Sequence, residues 1–126
     1  MIENILDASA VLAVLQNENG REKVELILEI SAISRVNVTE VLTKLVERGM
    51  AVNEAEAAFN DLKLKVVEFD ESQSIKAAEL RPLTKHLGLS LGDRCCLALA
   101  IQENATAVTA DRNWASFNLC KVEVIR

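Results

Sequence analysis

The chain has 126 residues, half of them apolar, with one proline, four glycines and few aromatics. These values predict one globular domain over residues 1–126 with an aliphatic core. The net charge of −5 argues against a broad phosphate-binding surface. No apolar run reaches the roughly 18 residues of a membrane span, and the N-terminus lacks a signal-peptide pattern, so we expect a cytoplasmic protein without a membrane partner.

Short apolar runs alternate with stretches of helical period along the first half of the chain. In order, the pattern predicts a strand at 3–7, helices at 8–16 and 21–29, a strand at 31–34 and a helix across NVTEVLTKLVERG, residues 37–49. From Val38 the apolar residues of that last helix recur at i, i+3, i+4 and i+7, and Gly49 is its expected stop.

The alternation continues through the second half. It predicts a helix capped by Asn53 and reaching residue 62, a strand at 64–69, a helix at 72–87 interrupted at Pro82, a helix beginning near Ser90, and strands at 106–110 and 120–125. Strands alternating with helices predict an α/β fold with a central, mostly parallel five-stranded sheet and helices on both faces. Ligands of such sheets bind outside the carboxyl ends of the strands.

Four acids are predicted to lie at that edge of the sheet. Asp7 and Asp111 follow strands, whereas Glu40 and Asp93 open helices. Clustered carboxylates repel one another and destabilise the fold unless a cation lies among them. Hard divalent ions such as Mg²⁺ and Mn²⁺ prefer such oxygen ligands, so the joint pattern indicates a metal site.

Each acid also has a structural interpretation. Asn37 with Glu40, and Ser90 with Asp93, have the spacing of a helix capping box. The other two acids fit ordinary turn or N-cap residues. Only the placement of all four at one edge favours a functional role.

The run LSLGDRCCLALAI, residues 89–101, is apolar apart from the residues at its head. Cys95 and Cys96 could suggest a metal or disulfide element, but neighbouring side chains on a helix point about 100° apart. One histidine in the whole chain cannot complete a zinc site with them. The run is therefore predicted to be a buried helix that holds Asp93 in place.

The motifs together resemble those of the PIN-domain nucleases, and specifically of the VapC-type toxins of toxin–antitoxin pairs. The likeness runs over nearly the whole chain, through LDASAVLAVLQNENG, NVTEVLTKLVERG, GLSLGDRCCLALA and AVTADRNWA. It implies a Mg²⁺- or Mn²⁺-dependent endoribonuclease that hydrolyses RNA phosphodiesters. It also implies a homodimer and a cognate VapB-type antitoxin.

Carried over residue by residue, the metal-binding and catalytic acids of that family fall on four positions of this chain: Asp7, Glu40, Asp93 and Asp111. We expect Asp7 and Asp93 to be the most direct metal ligands, with the other two completing the shell through water or orienting the nucleophile. Four more side chains are expected to assist the metal or contact substrate: Ser9, Thr109, Arg112 and Asn113. Trp114 is expected to be a packing anchor.

Three other interpretations stay open. The chain could be a PIN-domain RNA-processing nuclease without a toxin role, a non-catalytic binding module, or a receiver domain. The last is disfavoured because Asp7 has no acidic neighbour and no lysine follows the final strand. The amphipathic stretches 21–29 and 53–62 could be dimer or antitoxin surfaces, although core packing explains the same pattern.

Overall fold

The computed structural model describes residues 1–126, which form five strands and six α-helices, with two α-helices between successive strands up to the fourth and a 3₁₀ segment between the last two. The strands β1 to β5 span Asn4–Leu6, Ser31–Ser34, Lys65–Val67, Thr106–Thr109 and Val122–Val124. The helices α1 to α6 span Ala8–Leu15, Arg21–Glu25, Arg35–Glu47, Val52–Asn60, Glu71–Thr84 and Leu91–Gln102. Short 3₁₀ segments lie at Leu28–Ile30, Lys85–Leu87 and Arg112–Ser116.

All five strands form one sheet in the order β3-β2-β1-β4-β5, and every neighbouring pair is parallel. The predicted α/β fold with a parallel five-stranded sheet is therefore confirmed. The chain leaves β1 toward β2 on one side and returns to β4 on the other. The crevice at the carboxyl ends of β1 and β4 is thus the switch point at which sheets of this kind bind ligands.

Alternate residues of the strands face two separate apolar cores. Ile5, Ala32 and Ala107 pack with residues of α5 and α6 on one face. Their chain neighbours Leu6, Ile33 and Val108 pack with α1, α3 and α4 on the other face. This period of two, with apolar residues in both registers, is what a strand buried on both faces requires.

The structure corrects several predicted boundaries. Helix α3 begins at Arg35 because the Ser34 side chain accepts from the backbone N–H of Val36, so it starts before residue 37. Asn53 does not cap α4, since Ala51 occupies the cap position and the Glu54 carboxylate accepts from its backbone N–H. Pro82 lies inside α5, which ends two residues later at Thr84.

The two amphipathic stretches behave differently. In 53–62 the inward residues Ala55 and Phe59 are buried in the core, as core packing predicts. The stretch 21–29 is divided between α2 and a 3₁₀ segment, and Leu26 between them is exposed. None of the helices combines the length and the hydropathy that crossing a bilayer requires.

Candidate active site

Asp7 lies at the carboxyl end of β1 and caps α1. Its Oδ1 accepts from the backbone N–H of Ala10 at 2.8 Å and from the Ser9 hydroxyl at 2.7 Å. Its Oδ2 accepts from the Thr109 hydroxyl at 2.5 Å. Burial outweighs these hydrogen bonds and raises the pKa of Asp7 to about 6. The carboxylate is therefore held rigidly, in an environment that disfavours its charge.

Ser9 and Thr109 join the first strand-to-helix turn to the end of β4. The Ser9 hydroxyl accepts from the backbone N–H of Ala110 at 2.8 Å, and Thr109 Oγ1 accepts from that of Asp111 at 3.0 Å. Asp111 in turn caps the following 3₁₀ segment by accepting from the backbone N–H of Asn113 at 2.9 Å. The two hydroxyls thus fix the relative positions of the first and last acids.

Asp93 lies in the first turn of α6, where the predicted capping box with Ser90 is present. The Ser90 backbone N–H donates to Asp93 Oδ2 at 2.8 Å, and the Asp93 N–H donates to Ser90 Oγ at 3.2 Å. Burial raises the pKa of Asp93, and the nearby Asp111 carboxylate raises it further. Cys95 and Cys96 are buried free thiols in the same helix, as predicted.

Glu40 is not part of a capping box, so that prediction is wrong. Ser34 already caps α3, which places Glu40 in its second turn. Its Oε1 instead accepts from the side-chain amide of Asn37 at 2.7 Å, and the same amide donates to the Gly92 carbonyl of α6 at 3.0 Å. Burial raises the pKa of Glu40, and Asp93 adds to that rise.

One cavity of about 220 Å³ collects these acids at the switch point. Its lining side chains are Asp7, Ala8, Ser9, Leu12, Glu40, Lys44, Asp93 and Asp111. Thr109 lies behind Asp7. Arg112 and Asn113 are exposed outside the cavity, and Arg112 Nε donates to the Arg126 carbonyl at 3.0 Å.

The sequence prediction missed two neighbours of the acids, Lys44 and Gly92, and the contact between Asn37 and Gly92. Lys44 is the one basic residue of the cavity lining and stands one helical turn after Glu40. The i,i+4 spacing on a predicted helix could have shown this proximity. Asn37 and Gly92 meet across two helices, and no local signal pointed to that contact.

The electrostatics of the cavity suit a cation. Repulsion from Asp93 raises the pKa of both Asp7 and Glu40, although burial is the larger cause for each. No three histidine, cysteine or acidic side chains already converge as a ready-made metal site. The acidic side chains that line the cavity nevertheless offer only hard oxygen ligands, and burial and mutual repulsion disfavour the negative charges of Asp7, Glu40 and Asp93. Their chemistry fits Mg²⁺ or Mn²⁺ better than a soft metal.

Comparison with known proteins bears on the fold and the family of the chain. A PIN domain family model matches residues 5–118. The DNA-bound VapBC structure from Salmonella typhimurium superposes with a TM-score of 0.80 at 20% identity, covering 100% of both chains. VapBC2 from Rickettsia felis bound to a promoter DNA fragment gives a TM-score of 0.76 at 20% identity, covering 98% of each chain.

The Mycobacterium tuberculosis toxin VapC20, which cleaves the sarcin-ricin loop, gives a TM-score of 0.73 at 17% identity and covers 94% of this chain and 99% of its own. No curated protein sequence matches significantly. At such identities the structural matches show a shared fold. The family model covers most of the chain, including all four acids of the cavity. It therefore shows that the chain belongs to the PIN domain family.

Proposed function

We propose that the protein is a Mg²⁺- or Mn²⁺-dependent endoribonuclease that acts in the cytoplasm as the toxin of a VapBC-type pair. One observation carries this proposal: four carboxylates, from both halves of the chain, line a single cavity at the switch point of a parallel sheet. Helix capping accounts separately for three of these carboxylates, those of Asp7, Asp93 and Asp111. It does not account for their grouping, which makes the ionised form of the protein less stable.

In this proposal Asp7 and Asp93 hold the ion most directly, and Glu40 and Asp111 complete its shell. A divalent ion held by these acids would supply two effects: a lower pKa for a water molecule and neutralisation of charge on the phosphodiester. Thr109 and Ser9 donate to Asp7 and so favour its ionised, metal-binding form. These residues therefore prepare the carboxylate that burial would otherwise keep protonated near neutral pH.

Lys44 is assigned to the substrate. Its side chain is exposed at the cavity, paired with Glu47 at 3.7 Å, a separation that leaves it free to turn. A phosphodiester that approaches four carboxylates meets strong repulsion, and a single ammonium group at the rim offsets part of it. Exposed ion pairs of this kind are weak, so exchanging Glu47 for a phosphate requires little free energy.

The proposed antitoxin would meet the same cavity. An acidic cavity of this kind attracts a basic side chain, and such a residue from an antitoxin would displace the metal. An apolar groove lined in part by Leu42, Val46 and Val52 lies on α3 and the start of α4. Its exposed valines suit an apolar residue of the same antitoxin segment or of a second copy of the toxin.

Growth on inducible expression tests the proposal. Wild type should arrest growth, Asp7→Asn should not, and the matched control Asp61→Asn, an exposed acid at the end of α4, should behave as wild type. Purified wild type should cleave RNA with Mn²⁺ and lose cleavage in EDTA. Equal toxicity of wild type and Asp7→Asn would refute nuclease action. Cleavage without toxicity would instead favour an RNA-processing enzyme.

A further inference from the structure

Gly92 has no backbone reason to be glycine. Gly20, Gly49 and Gly88 each have a positive φ, the conformation that glycine adopts most readily. Gly92 does not: it is an ordinary residue in the first turn of α6. Among the residues only proline is a poorer helix former than glycine, so helix propensity does not explain its presence here either. The explanation must lie in what occupies the adjacent space.

That space holds the carboxylate of Glu40. A Cβ added to Gly92 would lie 2.5 Å from both Cδ and Oε1 of Glu40, and closer still to Oε2. The three heavy atoms nearest to that Cβ all belong to the Glu40 carboxyl group. The missing side chain therefore allows the Glu40 carboxylate of α3 to lie directly over the first turn of α6, beside the residue that precedes Asp93.

Asn37 holds the carboxylate in this place. Its side chain is fully buried, and its Nδ2 donates both to Glu40 Oε1 and to the Gly92 carbonyl. Because both partners are acceptors, the orientation of the amide is fixed. Its Oδ1 is buried without a hydrogen-bond partner, which is a second unfavourable feature at the same contact.

We propose that Asn37 and Gly92 are a positioning pair, which holds the Glu40 carboxylate next to Asp93 so that the two acids can share a metal ion. The proposal deepens the proposed function and rests on it only for the role of the ion. One geometric requirement, the position of the Glu40 carboxylate, thus accounts for both the glycine at position 92 and the unpartnered Oδ1 of Asn37. Asn37 fixes the carboxylate from α3, and Gly92 leaves room for it on α6.

Mn²⁺ titration of the metal-free protein by calorimetry tests the pair. Gly92→Ala should weaken Mn²⁺ binding by about 10- to 100-fold, the range found when a partner of a metal ligand is removed, and Glu40→Ala should weaken it at least as much. The double variant should bind no more weakly than Glu40→Ala alone, because Gly92→Ala acts only by displacing Glu40. Asn37→Asp, which replaces the donor by an acceptor, should weaken binding similarly.

Two matched controls separate positioning from general instability. Gly49→Ala introduces strain at a positive φ with open space around it, and Asn60→Asp changes an exposed amide on α4. Both should keep the wild-type affinity for Mn²⁺. Thermal unfolding in EDTA should show that Gly92→Ala is folded, since it displaces only the end of a flexible side chain.

Wild-type affinity in Gly92→Ala, or a further loss when it is combined with Glu40→Ala, would overturn the proposal. The side-chain amide resonances of Asn37, recorded in EDTA, provide a reading that needs no metal. They should move alike in Glu40→Ala and Gly92→Ala and stay fixed in Gly49→Ala; fixed resonances in all variants would also overturn it. If wild type neither binds Mn²⁺ nor cleaves RNA while these resonances respond, the proposed function fails and the contact stands.

Discussion

Replacing Asp7 by asparagine should stabilise the metal-free protein above pH 6. The Asp7 carboxylate is 4% exposed, and burial raises its pKa from the ordinary value of 3.8 to about 6. Asparagine has nearly the same shape and carries no charge. It can accept from the Ala10 N–H and present its own amide to the Thr109 hydroxyl, which can accept. The substitution thus removes an unfavourable buried charge and keeps most of its neighbours satisfied.

The size of the effect follows from the pKa difference. Between pH 4 and pH 6 the folded protein keeps a proton on Asp7 that the unfolded chain has lost, so the free energy of unfolding falls as pH rises through this window. A rise in pKa from 3.8 to about 6 corresponds to about 3 kcal/mol. Asp7→Asn should show no such loss. The two proteins should be similarly stable near pH 4 and differ by up to about 3 kcal/mol at pH 7.5.

Urea denaturation in EDTA at several values between pH 4 and pH 7.5 measures this difference, with Asp61→Asn as the exposed control. The variant should gain relative to wild type only as pH rises. Added Mn²⁺ should reverse the order at pH 7.5, because it stabilises the ionised wild type alone. Parallel pH profiles for wild type and Asp7→Asn would refute the argument that the buried charge of Asp7 destabilises the fold.

Further predictions concern neighbours of this acid, the substrate and the core. Thr109→Val removes a donor to Asp7, so the pKa of Asp7 should rise further and the acid limb of the pH–rate profile should move to higher pH. Thr109→Ser should retain the wild-type limb, and an unchanged limb in both variants would contradict the assigned hydrogen bond. Lys44→Met should raise KM for RNA and reduce the salt dependence of RNA binding by about one ion. Lys44→Arg should keep the wild-type value of each. Equal salt slopes for wild type and Lys44→Met would exclude a phosphate contact. Asp93→Asn should also stabilise the metal-free protein, but by less than Asp7→Asn, since Asp93 is only half-buried. Calorimetry in EDTA should show the smaller rise in melting temperature. Trp114→Ala, at a fully buried side chain, should lower the free energy of unfolding by about 3–5 kcal/mol in urea titration, and a loss below about 1 kcal/mol would show that Trp114 is not a packing anchor.

Local chemistry made much of the fold predictable. The strand Ser31–Ser34 was predicted with its observed bounds, because the run is apolar at its centre and flanked by helical patterns. The caps formed by Asp7 and Ser90 are also local, since each side chain bonds a backbone N–H three residues away. Such features depend on spacing alone, and spacing is visible in a sequence.

Two features could not be predicted, one because two residues compete to cap the same helix and one because its contact joins distant parts of the chain. Asn37 and Glu40 have capping-box spacing, but Ser34 caps the helix three residues earlier. Both residues therefore lie inside α3 and not at its start. The amide then bonds across to the Gly92 carbonyl, 55 residues away. A contact between two helices depends on how both pack on the sheet, which periodicity within either helix does not reveal.

The central position of β1 has a consequence for synthesis on the ribosome. Strand β1 pairs with β2 on one side, but its other neighbour, β4, follows about a hundred residues later, and the hydrogen bond from Thr109 to Asp7 spans 102 positions. A nascent chain therefore cannot bring Asp111 beside Asp7 until β4 has been made, because the pairing of β1 with β4 must wait for that strand. Chains released before β4 is made would lack both Thr109 and Asp111, so the strand order delays formation of the acidic cavity until that strand has been made.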